Sequence, residues 1–316
     1  MSRVRFHAIR AIGEVCDLIW SGPGWENWNS ALSTMENIQL LYRDRSPPDF
    51  VLCYKLDEIP GLDTIPYPSG VNRDELQTED NTAEEAVRKF TQHKIDLVIS
   101  HQKNQLEHPL LKALPCQFAY IPYCVDPTIF RDYNEPKMID VLLVGHLASG
   151  RYPLRSRLYH FLLKAQSDPR FSGRKLCVHP HPGYRLKEAF NDAHVIEYAK
   201  LMNASKICLT CSGKYHLKYA KYVEIPACRS LLMADMPCED QDILKEYMVE
   251  IPSDVSYEAL TKKLLHYLDD SNARETLTEK GYQIVQENFT QRHYAEAFVA
   301  IVKEYLSQHG PRKIWN

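Results

Sequence analysis

The chain has 316 residues, a formal net charge of −3, 44% hydrophobic residues and 25% charged residues. Such values suit a globular protein long enough for two cores, and they exclude a global basic field that would recruit nucleic acid or an anionic membrane. No run reaches the roughly 18 consecutive apolar residues of a membrane span, and the opening MSRVRFHAIRAIG lacks the unbroken apolar stretch of a signal peptide.

In the first half, short apolar runs at 49–54 (DFVLCY), 95–100 (IDLVIS) and 117–121 (QFAYI) read as strands. Helical patterns lie between them at 29–42, 84–93 and 105–113, and 56–70 reads as a proline- and glycine-rich loop. An N-cap at Asn81 or Thr82 leads the acidic segment 74–85 into the second helix. A second alternation starts at Ile139, with strands expected at 139–145, 175–179, 206–211, 230–235 and 247–251. Helices are expected at 153–165, 198–203, 219–228, 239–245, 257–268, 271–288 and 290–307. Near-continuous apolar strands belong to parallel sheets covered on both faces. The proline-containing stretch 126–137 marks the domain boundary.

The fold class is therefore α/β, with two Rossmann-like domains at 1–130 and 131–290 and a terminal helix at 291–316. Two such domains face each other across a cleft at the carboxyl ends of their sheets, where open α/β sheets bind small molecules. The nine cysteines lack metal-ligand spacing, and several lie within apolar runs, so they read as reduced core residues of a cytoplasmic protein. Work at the periphery of a membrane is left open, as is the oligomeric state.

The most informative segment is CSGKYHLKYAKYVEIPACRSLLMAD, residues 211–235. A loop of Ser212, Gly213 and Lys214 opening onto a helix offers backbone N–H groups and a positive dipole end to a diphosphate. Lys214, Lys218 and Lys221 add cationic charge, with Lys218, Lys221 and Tyr222 on one side at helical spacing. Glu224 enters an apolar stretch, where a carboxylate needs hydrogen-bond donors, and a ribose supplies two. Spacing alone leaves a second reading open, in which Glu224 pairs with Lys221 or Lys218 on a solvated helix face.

KYVEIPACRSLLMAD is similar to the donor-binding segment of group 1 (family 4-like) GT-B glycosyltransferases, particularly the spore-maturation-related branch. The resemblance implies that Glu224 binds the ribose hydroxyls of a nucleotide. IPYCVDPTIF (121–130) resembles the interdomain signature of that family, and IDVLLVGHLASGRYPLR (139–155) its first donor-domain strand and loop. Gly145 then lets the backbone approach a phosphate. Arg151 stands where relatives place a basic residue on the diphosphate, with Arg155 nearby to fork phosphate oxygens. YQIVQENFTQRHYAEAFVAIVKEYL (282–306) has the family's closing helix pair, whose last member crosses back to the first domain. Many relatives carry a second Glu where this chain has His216, which bears on how the sugar is held, and relatives usually have a Gly where it has Arg229.

In the first domain, SGPGWENW (21–28) offers Gly22 and Gly24 as a phosphate cradle and Trp25 and Trp28 as stacking faces for an acceptor sugar; core or interface positions serve the indoles equally well. His101 follows a strand at the cleft mouth, where relatives often place a His near the reacting sugar. His179 and His181 end a donor-domain strand beside the nucleotide base, and no third ligand accompanies them, so no metal is expected.

The function so implied is transfer of a sugar from a nucleotide sugar to a hydroxyl of a glycan or glycolipid acceptor, with no nucleic acid among the partners. The resemblance implies retention of configuration. Without a metal or other cofactor, Arg151, Arg155, Lys214, Lys218 and Lys221 would carry the charge of the departing diphosphate, with His101, Arg151 and Lys221 closest to the chemistry. A nucleotide-sugar epimerase of the same architecture and a non-catalytic nucleotide- or sugar-binding protein are the competing readings.

Overall fold

The computed structural model describes residues 3–54, 56, 59–74, 76, 82–103, 107–148, 150–180 and 192–310. The chain divides into two compact units, Met1–Ile9 with Tyr123–His293, and Arg10–Pro122 with Tyr294–Asn316. A helix absent from the sequence-based expectation, α1 (Arg3–Ile12), contains the first division.

The Arg10–Pro122 unit is built on a four-stranded parallel sheet in the order β1 (Val51–Cys53), β2 (Ser69–Asn72), β3 (Leu97–Ser100), β4 (Gln117–Tyr120). Strand β2 falls at the end of the stretch expected to be loop, and all four of its residues are buried. A Cβ on Gly70 would stand 2.5 Å from Phe50 Cζ and 2.8 Å from the Leu97 carbonyl oxygen, so the centre of this sheet admits only glycine there. Helix α2 (Thr34–Leu41) starts later than the expected residue 29, because Ser33 and Glu36 form a capping box that fixes its first turn. Thr82 caps α3 (Ala83–Gln92), as anticipated, and Asn81 lies outside the described residues. Helix α4 (Pro109–Lys112) is a single turn capped by His108.

The Tyr123–His293 unit carries a five-stranded parallel sheet. Its strands are β5 (Ile139–Val144), β6 (Leu176–His179), β7 (Ser205–Leu209), β8 (Leu231–Ala234) and β9 (Val249–Glu250), in the spatial order β6-β5-β7-β8-β9. Connecting helices are α5 (Pro153–Ala165), α6 (Asp192–Asn203), α7 (Lys221–Ala227), α8 (Gln241–Leu244), α9 (Tyr257–Asp269) and α10 (Ser271–Asn288). Alternate residues feed two cores. Val141, Leu143, Ile207, Leu209, Leu231 and Met233 pack with α5 and α9, while Leu142, Val144, Cys208, Leu232 and Ala234 pack with α6, α7 and α10. Because both faces are covered, 141–144, 207–209 and 231–234 are apolar without interruption.

The linker is anchored at Val125, which bridges to Thr290, and its N–H donates to the Phe289 carbonyl at 2.8 Å. Buried Asp126 accepts from Thr128 and lies 3.1 Å from His7 of α1. Helix α11 (Gln291–His309) ends the described chain. From Tyr294 onward it belongs to the Arg10–Pro122 unit, where the Tyr294 hydroxyl accepts from Asn72 Nδ2 at 2.7 Å and Tyr305 reaches Asp96 at 3.4 Å. No helix among the described residues is long and apolar enough to cross a membrane.

Candidate functional site

The strand order reverses between β5 and β7, and in open parallel sheets ligands bind beyond the carboxyl ends of the strands at such a reversal. The loops leaving β5 and β7 hold Gly145, Arg151, Ser212, Gly213 and Lys214. Lys214 N–H donates to the Arg151 carbonyl at 3.0 Å, and a Cβ on Gly213 would stand 3.0 Å from that same oxygen. The two loops are therefore in contact.

Arg155 binds them together. It lies on the buried face of α5, 3% exposed. Nη1 donates to the His146 carbonyl at 2.8 Å, and Nη2 to Thr210 Oγ1 at 3.1 Å and the Cys211 carbonyl at 3.2 Å. The Tyr152 ring lies 4.3 Å from the guanidinium carbon. Gly145 has φ +104° and no side chain, and a Cβ there would stand 2.8 Å from the guanidinium carbon, so the glycine makes room for Arg155. Arg155 is correspondingly a bracket on neutral oxygens beneath the loops.

The Ser212–Lys214 loop also differs from expectation. Its N–H groups are largely taken within the protein: Ser212 N donates to Asp235 Oδ1 at 2.7 Å and Lys214 N to Arg151. Ser212 Oγ adds a 2.6 Å bond to Asp235 Oδ2. Nor does the loop open directly onto a helix, since α7 starts only at Lys221. Lys218 is turned away from the cationic rim into the core. It is 0% exposed, its N–H donates to Glu239 Oε2 at 2.8 Å, and its ammonium pairs with Asp240 Oδ2 at 2.5 Å beside the Phe289 ring. Burial pulls its pKa below the usual lysine value, against Asp240 and then Glu239. The loop after β7 is thus latched to the loop after β8 through Asp235, Glu239 and Asp240. Asp240→Asn keeps the shape but leaves a buried ammonium without its counter-charge. We expect a loss of about 3 kcal/mol in urea unfolding at neutral pH, shrinking at alkaline pH as Lys218 sheds its proton.

Glu224 sits in the middle of α7 and is 2% exposed, so it does not lie on a solvated face. Its carboxylate is paired with the Lys221 ammonium one turn earlier. The Lys221 ammonium also lies 4.9 Å from the centre of the Tyr198 ring, and that ring is 5.4 Å from His179 at the end of β6. Burial first, and the Glu224 carboxylate second, push the Tyr198 phenol well above its ordinary pKa. Burial, then the charge of His194, lower the pKa of His179, favouring its neutral ring. His181 lies outside the described residues.

Helix α7 ends in a Schellman turn: Arg229 N–H donates to Pro226 O at 2.9 Å and Ser230 N–H to Ile225 O at 3.4 Å. Arg229 takes φ +49°, a conformation that favours glycine. Ion pairs to Asp132 at 3.3 Å and Glu279 at 2.7 Å hold its side chain there. His216, at φ +52°, is exposed on the turn after Gly213.

In the Arg10–Pro122 unit, His101 follows β3 and is 4% exposed. Its N–H donates to Asp74 Oδ1 at 2.8 Å, and its Nδ1 lies 2.8 Å from the Ile121 carbonyl, a contact that places the ring proton on Nδ1. Its ring is 5.5 Å from Tyr294. Trp25 is 46% exposed and stacks on Trp20 at 5.5 Å. Gly22 and Gly24 have φ of +142° and +92° and start a turn closed by Trp25 N–H on Gly22 O, with Trp28 half-buried. Among the described residues no group of three or more His, Cys, Asp or Glu is arranged to hold a metal ion.

Comparison with known proteins bears on this geometry. Residues 155–300 match the model of a family described as glycosyl transferase-like. A search of curated proteins found no match. Among solved structures the chain resembles a sucrose-phosphate synthase from Thermosynechococcus elongatus, at 13% identity over 87% of this chain and 77% of that one, with a TM-score of 0.56. It also resembles Anabaena HepE in complex with UDP and glucose, at 12% identity over 85% and 80%, with a TM-score of 0.59. The fold is GT-B. The GtfA/B complex matches at 16% identity and a TM-score of 0.51, over 76% of this chain, which spans about half (53%) of the length of that one. At these identities the likeness to solved structures reaches the fold alone, and the stretch that matches the glycosyl transferase-like family, residues 155–300, includes Glu224.

Proposed function

We propose that this protein is a retaining, metal-independent glycosyltransferase, akin to the spore-maturation-related branch of family 4. It would move a sugar from a nucleoside-diphosphate donor to a hydroxyl of a glycan or glycolipid. The observation that carries the reading is buried Glu224 on α7, paired with Lys221 beside Tyr198 of α6, in the unit whose parallel sheet reverses its strand order between β5 and β7. A buried carboxylate needs compensation; Lys221 supplies part of it, and a ribose with two hydroxyl donors would supply more. Anabaena HepE, which shares the fold, was solved with UDP and glucose, in agreement with this donor class.

In this reading Glu224 grips the ribose, and Lys221 exchanges its partner for the diphosphate. Arg151 and Lys214, on the contacting loops, stabilise the negative charge that develops on the leaving group. Arg155 holds those loops in place from beneath. Gly145, Ser212 and Gly213 shape the loops, and His179 faces the base. The acceptor is the task of the other unit, where Trp25 offers an exposed aromatic face for a sugar and His101, after β3, would act near the reacting hydroxyl. Gly22, Gly24 and Trp28 set the turn that carries Trp25.

The test is a thermal-shift screen with UDP, GDP, CDP and dTDP sugars, followed by transfer assays with glycan acceptors in EDTA. A stabilising donor and transfer that survives EDTA are expected. Strict dependence on added Mg²⁺ would remove the metal-independent mechanism, and sugar epimerisation without an acceptor would replace transfer with the rival activity.

A further inference from the structure

We propose that Tyr198, on α6, is a further ligand of the donor nucleotide, its phenol bonding a polar atom of the nucleoside held by Glu224. The inference rests on the donor-site reading above and adds a residue to it. The Tyr198 hydroxyl is buried and has no hydrogen-bond partner among the described residues. Buried polar groups nearly always have one, because desolvating a hydroxyl without compensation is costly. Around it stand the groups that a nucleoside would meet: the Lys221 ammonium 4.9 Å from its ring centre and His179 5.4 Å away, with Glu224 paired to Lys221. Burial first and the Glu224 carboxylate second hold the phenol well above its ordinary pKa, so it keeps its proton and can donate.

A hydroxyl retained at a cost to folding leaves a distinctive signature. Tyr198→Phe removes one oxygen and no ring, so the ligand-free protein should melt at the same temperature or slightly higher. A ligand loses its partner, and affinity for the tightest-binding of UDP, GDP, CDP and dTDP should fall about fivefold to tenfold by calorimetry. Glu224→Gln is measured in parallel. Unchanged affinity in Tyr198→Phe, with affinity lost in Glu224→Gln, overturns the role of Tyr198 and leaves the donor site standing. Unchanged affinity in both, or no binding of any of the four nucleotides to the unaltered protein, overturns the donor site and Tyr198 with it. A lower melting temperature in Tyr198→Phe with unaltered affinity assigns the phenol to folding and also overturns the proposal.

Discussion

Replacing Glu224 by alanine is expected to weaken binding of the donor nucleotide by about 10²-fold to 10⁴-fold. Two ribose hydroxyls donating to one carboxylate make charge-assisted bonds, each worth about 1.5–3 kcal/mol. The same substitution leaves the Lys221 ammonium without its partner. Lys221 is 16% exposed at the side chain, whereas Glu224 is 2% exposed, so the lysine has a path to solvent that the carboxylate does not. The effect on affinity should therefore exceed the effect on folding. Glu224→Gln, which keeps the volume and one carbonyl oxygen, separates the two: its melting temperature stays near that of the parent while calorimetry shows at least about tenfold weaker binding. Equal affinity of the alanine variant and the parent would take Glu224 out of the site.

Gly145→Ala is the second large effect, and it acts on folding. The position has φ +104°, where an L residue is strained, and the added Cβ would stand 2.8 Å from Arg155 Cζ and 2.9 Å from Nη1. A flexible arginine would step aside cheaply. This one is buried and tied to His146, Thr210 and Cys211, so moving it breaks bonds of an enclosed charge. Backbone strain and lost hydrogen bonds together come to roughly 3 kcal/mol. Arg155→Ala removes the obstacle, and the double variant should then be less destabilised than the sum of the two single changes, with a coupling of about 1–2 kcal/mol. Additive effects in urea unfolding would show that the glycine and the arginine do not form a matched pair.

How legible this was depends on what each position is asked to do. Strands β5, β7 and β8 stood out because both faces of the sheet are covered, which makes their inner residues apolar in unbroken runs. Strand β2 did not: Ser69, Gly70, Val71 and Asn72 are buried through closeness rather than bulk, and a glycine chosen for its lack of volume gives no hydrophobic signal. The burial of Glu224 was legible because a carboxylate inside an apolar run demands a reason. The fate of Lys218 was not, since its partner Asp240 is 22 residues away along the chain and only the tertiary fold joins them. Arg155 had a readable cue that pointed inward. It shares the spacing of Leu158, Leu162 and Ala165 on α5, which puts the guanidinium on the helix's apolar face. Tyr198 carried no cue, because an orphaned hydroxyl is visible only when its surroundings are known.

The most direct measurement is a crystal structure of the protein with the nucleoside diphosphate that binds it best. The account predicts ribose hydroxyls within hydrogen-bond distance of Glu224 and the Lys221 ammonium moved from that carboxylate to the diphosphate. A nucleotide seated elsewhere, with the Lys221–Glu224 pair intact, would contradict it.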